Sequence, residues 1–147
     1  MTITVDNDRV LRALDDMQER SQALHPAMKV IGEAMVASTH ERFRDKDAPD
    51  GTPWAPLSPV TVERKGHDRI LEGASNQLAR QISYEASDDS LEWGSSMIYA
   101  AMQHYGGEQS EFPHLWGDIP SRPFLGVSAD DQDEILSIIG DYLTGRL

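Results

Sequence analysis

Met28, Ile31, Met35, Thr39 and Phe43 lie on one stripe, spaced 3, 4, 4 and 4 residues apart, which is the repeat of an α-helix. Pro26 precedes the stripe, where a first-turn proline loses no hydrogen bond. The stripe ends in the charged, Pro- and Gly-rich stretch 44–53. At about 1.5 Å per residue such a helix nearly spans a small domain, so the rest of the chain has to be arranged around it.

The remaining elements are short. Asp6 or Asn7 suits an N-cap, and Val10, Leu11, Leu14 and Met17 recur at helical spacing, predicting a first helix to about Glu19. Alternation over residues 2–5 predicts a short edge strand ahead of it. Ser58-Pro59 starts a helix that stops near Gly66, and residues 77–82 read as a helical turn. Ile82, Tyr84 and Ala86 alternate, Asp88-Asp89 interrupts, and Leu91 and Trp93 alternate again, which reads as a β-hairpin. Residues 98–102 predict a short helix ending at Gly106-Gly107. Ser128 caps a last helix whose first turns carry Asp130, Asp131, Asp133 and Glu134 at the positive end of its dipole. Its apolar face is Ile135, Ile138, Ile139, Tyr142 and Leu143. The expected fold is α+β: a single domain over residues 1–147, with long helices on a small antiparallel hairpin.

Composition removes whole classes of chemistry. There is no cysteine, so disulfides, thiolate metal sites and thiol nucleophiles are absent. Of the five histidines, no two lie closer than ten positions, whereas a helical metal site needs paired ligands. No Gly-x-Ser-x-Gly elbow and no phosphate-cradling glycine loop occurs, and the acid pairs sit where a turn or a helix start explains them. No catalytic residue, metal or cofactor is expected. The formal charge of −12 argues against a general binder of the phosphate backbone. No apolar run approaches a membrane span and the start lacks a signal-peptide pattern, so a soluble protein made in the cytosol is expected.

Two proline-framed segments stand out: 50–57, carrying Trp54 and Leu57, and 119–126, carrying Arg122, Pro123 and Phe124. These side chains either plug the edge of the core, as expected for Trp54 and Phe124, or anchor a partner, for which Trp, Phe and Arg are suited. As a loop residue, Arg122 is expected to support little of the core.

In order along the chain stand Phe43; the run from Pro49 through Gly51, Pro53, Trp54, Pro56 and Leu57 to Ser58; Thr61 and Lys65; Ile70-Leu71; Leu78 to Ser83; Trp93-Gly94; Tyr99-Ala100; His104 to Gly107; and Ile119-Pro120-Ser121-Arg122-Pro123-Phe124-Leu125-Gly126. This ordered set resembles the phage virion morphogenesis family, the Mu-like and tail-completion proteins of contractile-tailed bacteriophages. The chain departs from the family's pattern at 72–78, which lacks a basic residue, although Arg80 is near. The resemblance implies a structural assembly role, not an enzyme. It places the protein at the head-proximal end of the tail, in tail completion or head–tail joining, as a ring of its own copies around the DNA channel. Its partners would be neighbouring tail, neck and connector proteins, with DNA only passing through and no membrane. It would sit in the virion, and in the host cytoplasm during assembly. An assembly factor that is no ring component of the mature particle is the alternative. On this reading Trp54, Leu57, Arg122, Pro123 and Phe124 are interface residues. Glu108, Glu111, Asp118, Asp130 and Asp131 would line the channel, where an acidic wall gives a passing duplex no phosphate contacts.

Overall fold

The computed structural model describes residues 1–2 and 7–147. The edge strand expected over 2–5 falls mainly on residues outside that set. The described elements run α1 (Asp8–Ser21), α2 (His25–Asp45), α3 (Pro59–Lys65), α4 (Gln77–Arg80), β1 (Ile82–Ala86), β2 (Leu91–Ser95), α5 (Ala100–Tyr105) and α6 (Ala129–Leu143). The α+β expectation holds, and α2 is the axis.

Ile31, Met35, Thr39 and Phe43 are all buried on α2, as their stripe requires, with Met28 partly covered. The Thr39 hydroxyl meets its hydrogen-bonding need inside the helix by donating to the Met35 carbonyl at 2.7 Å. The hairpin packs on one side of α2 and α6 packs along it. Strand register pairs Ile82 with Ser95, Tyr84 with Trp93 and Ala86 with Leu91. Because side chains alternate across a strand, these three pairs share one face. Gly32 makes the close approach possible: a Cβ there would lie 2.3 Å from the Tyr84 ring.

Two apolar clusters divide the length of α2. Ala27, Ile31 and Met35 meet Ile138 of α6, with Trp93, Ile139 and Tyr142 around them. Towards the other end, Phe43 joins Trp54, Leu71, Leu78, Ile82 and Phe124. A buried ion pair, Arg42 with Asp131, fastens the C-terminal end of α2 to the start of α6.

Of the caps read from sequence, Asn7 precedes α1 without a side-chain cap bond and Asp6 lies outside the described residues, whereas Ser58 and Ser128 both cap. Ser58 Oγ accepts from the Thr61 amide at 3.2 Å. Ser128 forms a capping box with Asp131, which satisfies two donors of the first turn reciprocally. The helix expected from residue 98 begins instead at Ala100. The Met97 amide is taken by Ser95 Oγ at 3.2 Å and the Met97 carbonyl by the Ala100 amide at 2.9 Å, so a turn forms first. Ile98 is left outside, almost fully exposed. No helix among the described residues is long and apolar enough to cross a membrane.

Candidate functional site

The two proline-framed segments are bolted to each other. Trp54 Nε1 donates to the Pro123 carbonyl at 2.7 Å. Arg122 Nε donates to the Ala55 carbonyl at 2.8 Å and its Nη2 to the Pro56 carbonyl at 2.9 Å. The Arg122 amide reaches the Gln103 carbonyl at 3.1 Å. Phe43 receives Trp54 edge-on at 5.4 Å and Phe124 at 5.3 Å between ring centroids. The His104 ring sits edge-on to Phe124, and its Nδ1 accepts from the Phe124 amide at 3.3 Å. Burial lowers the His104 pKa, consistent with a neutral ring whose Nδ1 is free to accept.

This geometry corrects part of the sequence reading. Trp54, Arg122 and Phe124 are 5%, 4% and 0% exposed, so within this chain they are interior groups with no free face for a partner. Arg122 supports the core: it satisfies two carbonyls of the opposite loop that no regular element would pair. Pro123 is half-buried and gives its carbonyl to Trp54. Leu57 is half-buried but faces a cleft.

The acids divide in the same way. Asp131 is 4% exposed and paired with Arg42, so it cannot face a channel. Burial pushes its carboxyl up, but hydrogen bonds from Ser38 and Ser128 and the Arg42 charge leave it below the ordinary value. Glu108, Glu111, Asp118 and Asp130 are exposed. The first three lie on the loop closed by paired hydrogen bonds between Gly107 and Ile119, at 2.9 and 2.8 Å. Asp118 Oδ1 also accepts from the Gln109 amide at 2.8 Å, holding that loop in shape.

Beside the bolted loops opens a cleft of about 630 Å³, walled by α3, by residues 71–73 and by residues 118–122, with Leu57, Leu71, Tyr99 and Ile119 as its apolar lining. Leu71 is held at φ +56°, a conformation a leucine adopts at a cost of about 1–3 kcal/mol. Lys46 keeps the turn in place, donating to the Ile70 carbonyl at 3.3 Å and to Glu72 Oε1 at 2.6 Å. The cleft is lined by the cations Lys65 and Arg122 and by the acids Glu72 and Asp118, and no ion pair among the described residues includes Lys65 or Arg122. Burial is the main cause that lowers the pKa of each cation; at Lys65 the Glu72 charge opposes it and the Arg122 charge adds to it. Of the exposed apolar residues Val60, Ile98, Tyr99 and Trp116, Tyr99 lines the cleft, and Arg64 of α3 lies 4.2 Å from the Trp116 ring centre.

Thus the motif residues Leu57, Thr61, Lys65, Leu71, Leu78, Tyr99, Ile119 and Arg122, dispersed along the chain, meet at one place. Sequence reasoning did not assemble them, and it passed over Trp116. The one signal for Trp116 was a tryptophan in an acidic loop with no periodic apolar neighbours. The cleft offers apolar walls with charges of both signs. Among the described residues no group of three His, Asp or Glu is placed to hold a metal ion. Its chemistry is that of a docking surface.

Residues 5–144 match the phage virion morphogenesis family. The chain is 29% identical to a protein of Escherichia phage Mu named for capsid assembly (protein G), over all of this chain and 96% of that protein. It is 27% identical to the tail completion protein S of Escherichia phage P2, over 77% of this chain and 79% of that one. No solved structure matches the chain.

Proposed function

The chain belongs to the phage virion morphogenesis family, and from that premise we propose that it completes the head-proximal end of the phage tail and prepares it for joining to the head, as a ring around the DNA channel. The observation that carries this reading is the convergence of the family's dispersed motif residues on one cleft with apolar walls, Tyr99 among them exposed. Such a surface suits association with protein. The relative named for tail completion supports the tail position. The exposed acids Glu108, Glu111, Asp118 and Asp130, in a chain of charge −12, suit a wall along which a duplex slides without phosphate contacts.

The test is to grow the phage without this chain and image the lysate by electron microscopy. Filled heads and separate tails are the expected result; normally joined, infectious particles would contradict it. A second reading, a factor for head assembly absent from the finished particle, is favoured by the name of the Mu relative. It predicts missing or malformed heads in the same images, and no peptide of this chain in purified virions.

A further inference from the structure

We infer that copies of this chain join head to tail, the apolar face of α1 from one copy seated in the cleft of the next. The inference rests on the assembly reading above and names the two surfaces that meet. Helix α1 has 14 residues and none is buried. Val10, Leu11 and Leu14 are 59%, 49% and 55% exposed. Isolated helices shorter than about 12–15 residues are marginal in water, and the described residues leave the stripe of this one about half exposed. Two hydrogen bonds fasten its C-terminal end. Arg20 Nη1 donates to the Leu143 carbonyl at 3.1 Å, and the Tyr142 hydroxyl binds the carbonyl of Ala23 in the link to α2.

The cleft has the opposite need. Its walls Leu57, Leu71, Tyr99 and Ile119 are apolar, and Lys65, partly desolvated, forms no ion pair among the described residues, although Glu72 is near enough to act on its charge. An occupant that fills it should be an apolar ridge with a carboxylate for Lys65. On the helical wheel Asp15 flanks the Leu11 and Leu14 edge of α1. Placement completes the argument. α1 is tethered beside the Ala27–Met35 half of α2, whereas the cleft is built on the Phe43 cluster at the other end. Two different, complementary surfaces at opposite ends make a heterologous contact, which repeats from copy to copy and closes into a ring when the rotation allows. A two-fold pair would instead need one self-complementary patch.

The experiment uses the full chain and analytical ultracentrifugation. Leu14→Glu spoils α1 and Tyr99→Glu spoils the cleft; both positions are exposed, and circular dichroism checks that each variant is folded. Wild type should sediment above the dimer, and each variant at the monomer mass of 16.4 kDa. A mixture of the two variants still has one intact α1 and one intact cleft between them, so it should give a species of twice that mass and nothing larger. A monomeric wild type, a variant that still assembles, or a mixture that stays monomeric would overturn the inference. The absence of native cysteine allows a second reading. Leu14→Cys combined with Tyr99→Cys should oxidise to a ladder of multimers. Dimers formed by Leu14→Cys alone would mean that α1 pairs with its own copy, and would also overturn it. Both measurements use isolated protein, so they fail or succeed independently of the electron-microscopy test of tail joining.

Discussion

Trp54, Arg122 and Phe124 stand on loops and are among the most deeply buried side chains, whereas Val10, Leu11 and Leu14 form a regular apolar stripe on a helix and are about half exposed. The difference is one of partners. Each loop carries what the other lacks: a tryptophan N–H for the Pro123 carbonyl, a guanidinium for the Ala55 and Pro56 carbonyls, and rings that close on Phe43. Irregular backbone can enter an interior only when its polar groups are paired, and Arg122 supplies the donors. Helix α1 pairs its backbone within itself but finds no surface among the described residues that covers the stripe. Burial therefore follows the availability of a complementary surface, whatever the type of element.

The largest test of this contrast is Phe124→Ala, which should destabilise the fold by about 3–5 kcal/mol in denaturant titration. A value near that of a surface site would mean the loops are not core. Next comes Arg122→Ala. It strips a charged donor from two part-buried carbonyls, and a hydrogen bond to a charged group contributes about 1.5–3 kcal/mol. An unchanged midpoint would return Arg122 to the surface.

Acid sharpens the contrast further. The folded pKa of His104 is lowered by burial, so the unfolded chain takes up its proton first. The stability this contributes is fully present above the unfolded value of about 6.5 and is lost as pH falls from there through the folded pKa. Asp131, whose folded pKa is also lowered, contributes stability above the usual carboxylate range that disappears in stronger acid. Thermal melts should therefore show an early decline below about pH 6.5, flattened in His104→Gln, and a later one. The smallest effect is expected at α1: Leu14→Ser should change stability by no more than about 0.5 kcal/mol, the range of surface sites.

How much of this was legible in the sequence follows from which interactions are local. The stripe of α2, the caps Ser58 and Ser128, and the hairpin at 82–95 depend on residues a few positions apart, and periodicity or capping chemistry reveals them. Arg122 pairs with carbonyls 66 and 67 residues away and Arg42 with Asp131 across 89. Nothing in the local spelling distinguishes such a buried cation from an interface anchor. Asp131 was read from the helix dipole and as a channel-facing acid, and its partner Arg42 lay on another helix. The cleft is the same case, since its walls come from four stretches of chain. The family motifs were recognisable as an ordered set, but their meeting point is a property of the folded chain.

The central claim is that assembly uses the uncovered surfaces, α1 and the cleft, and that the buried motif residues hold the protomer together. The most direct test is the infectious titre of phage whose own copy carries Leu11→Glu with Leu14→Glu, once the purified variant is shown to melt like wild type. The account predicts a titre falling to that of phage lacking the chain. A titre equal to wild type would contradict it.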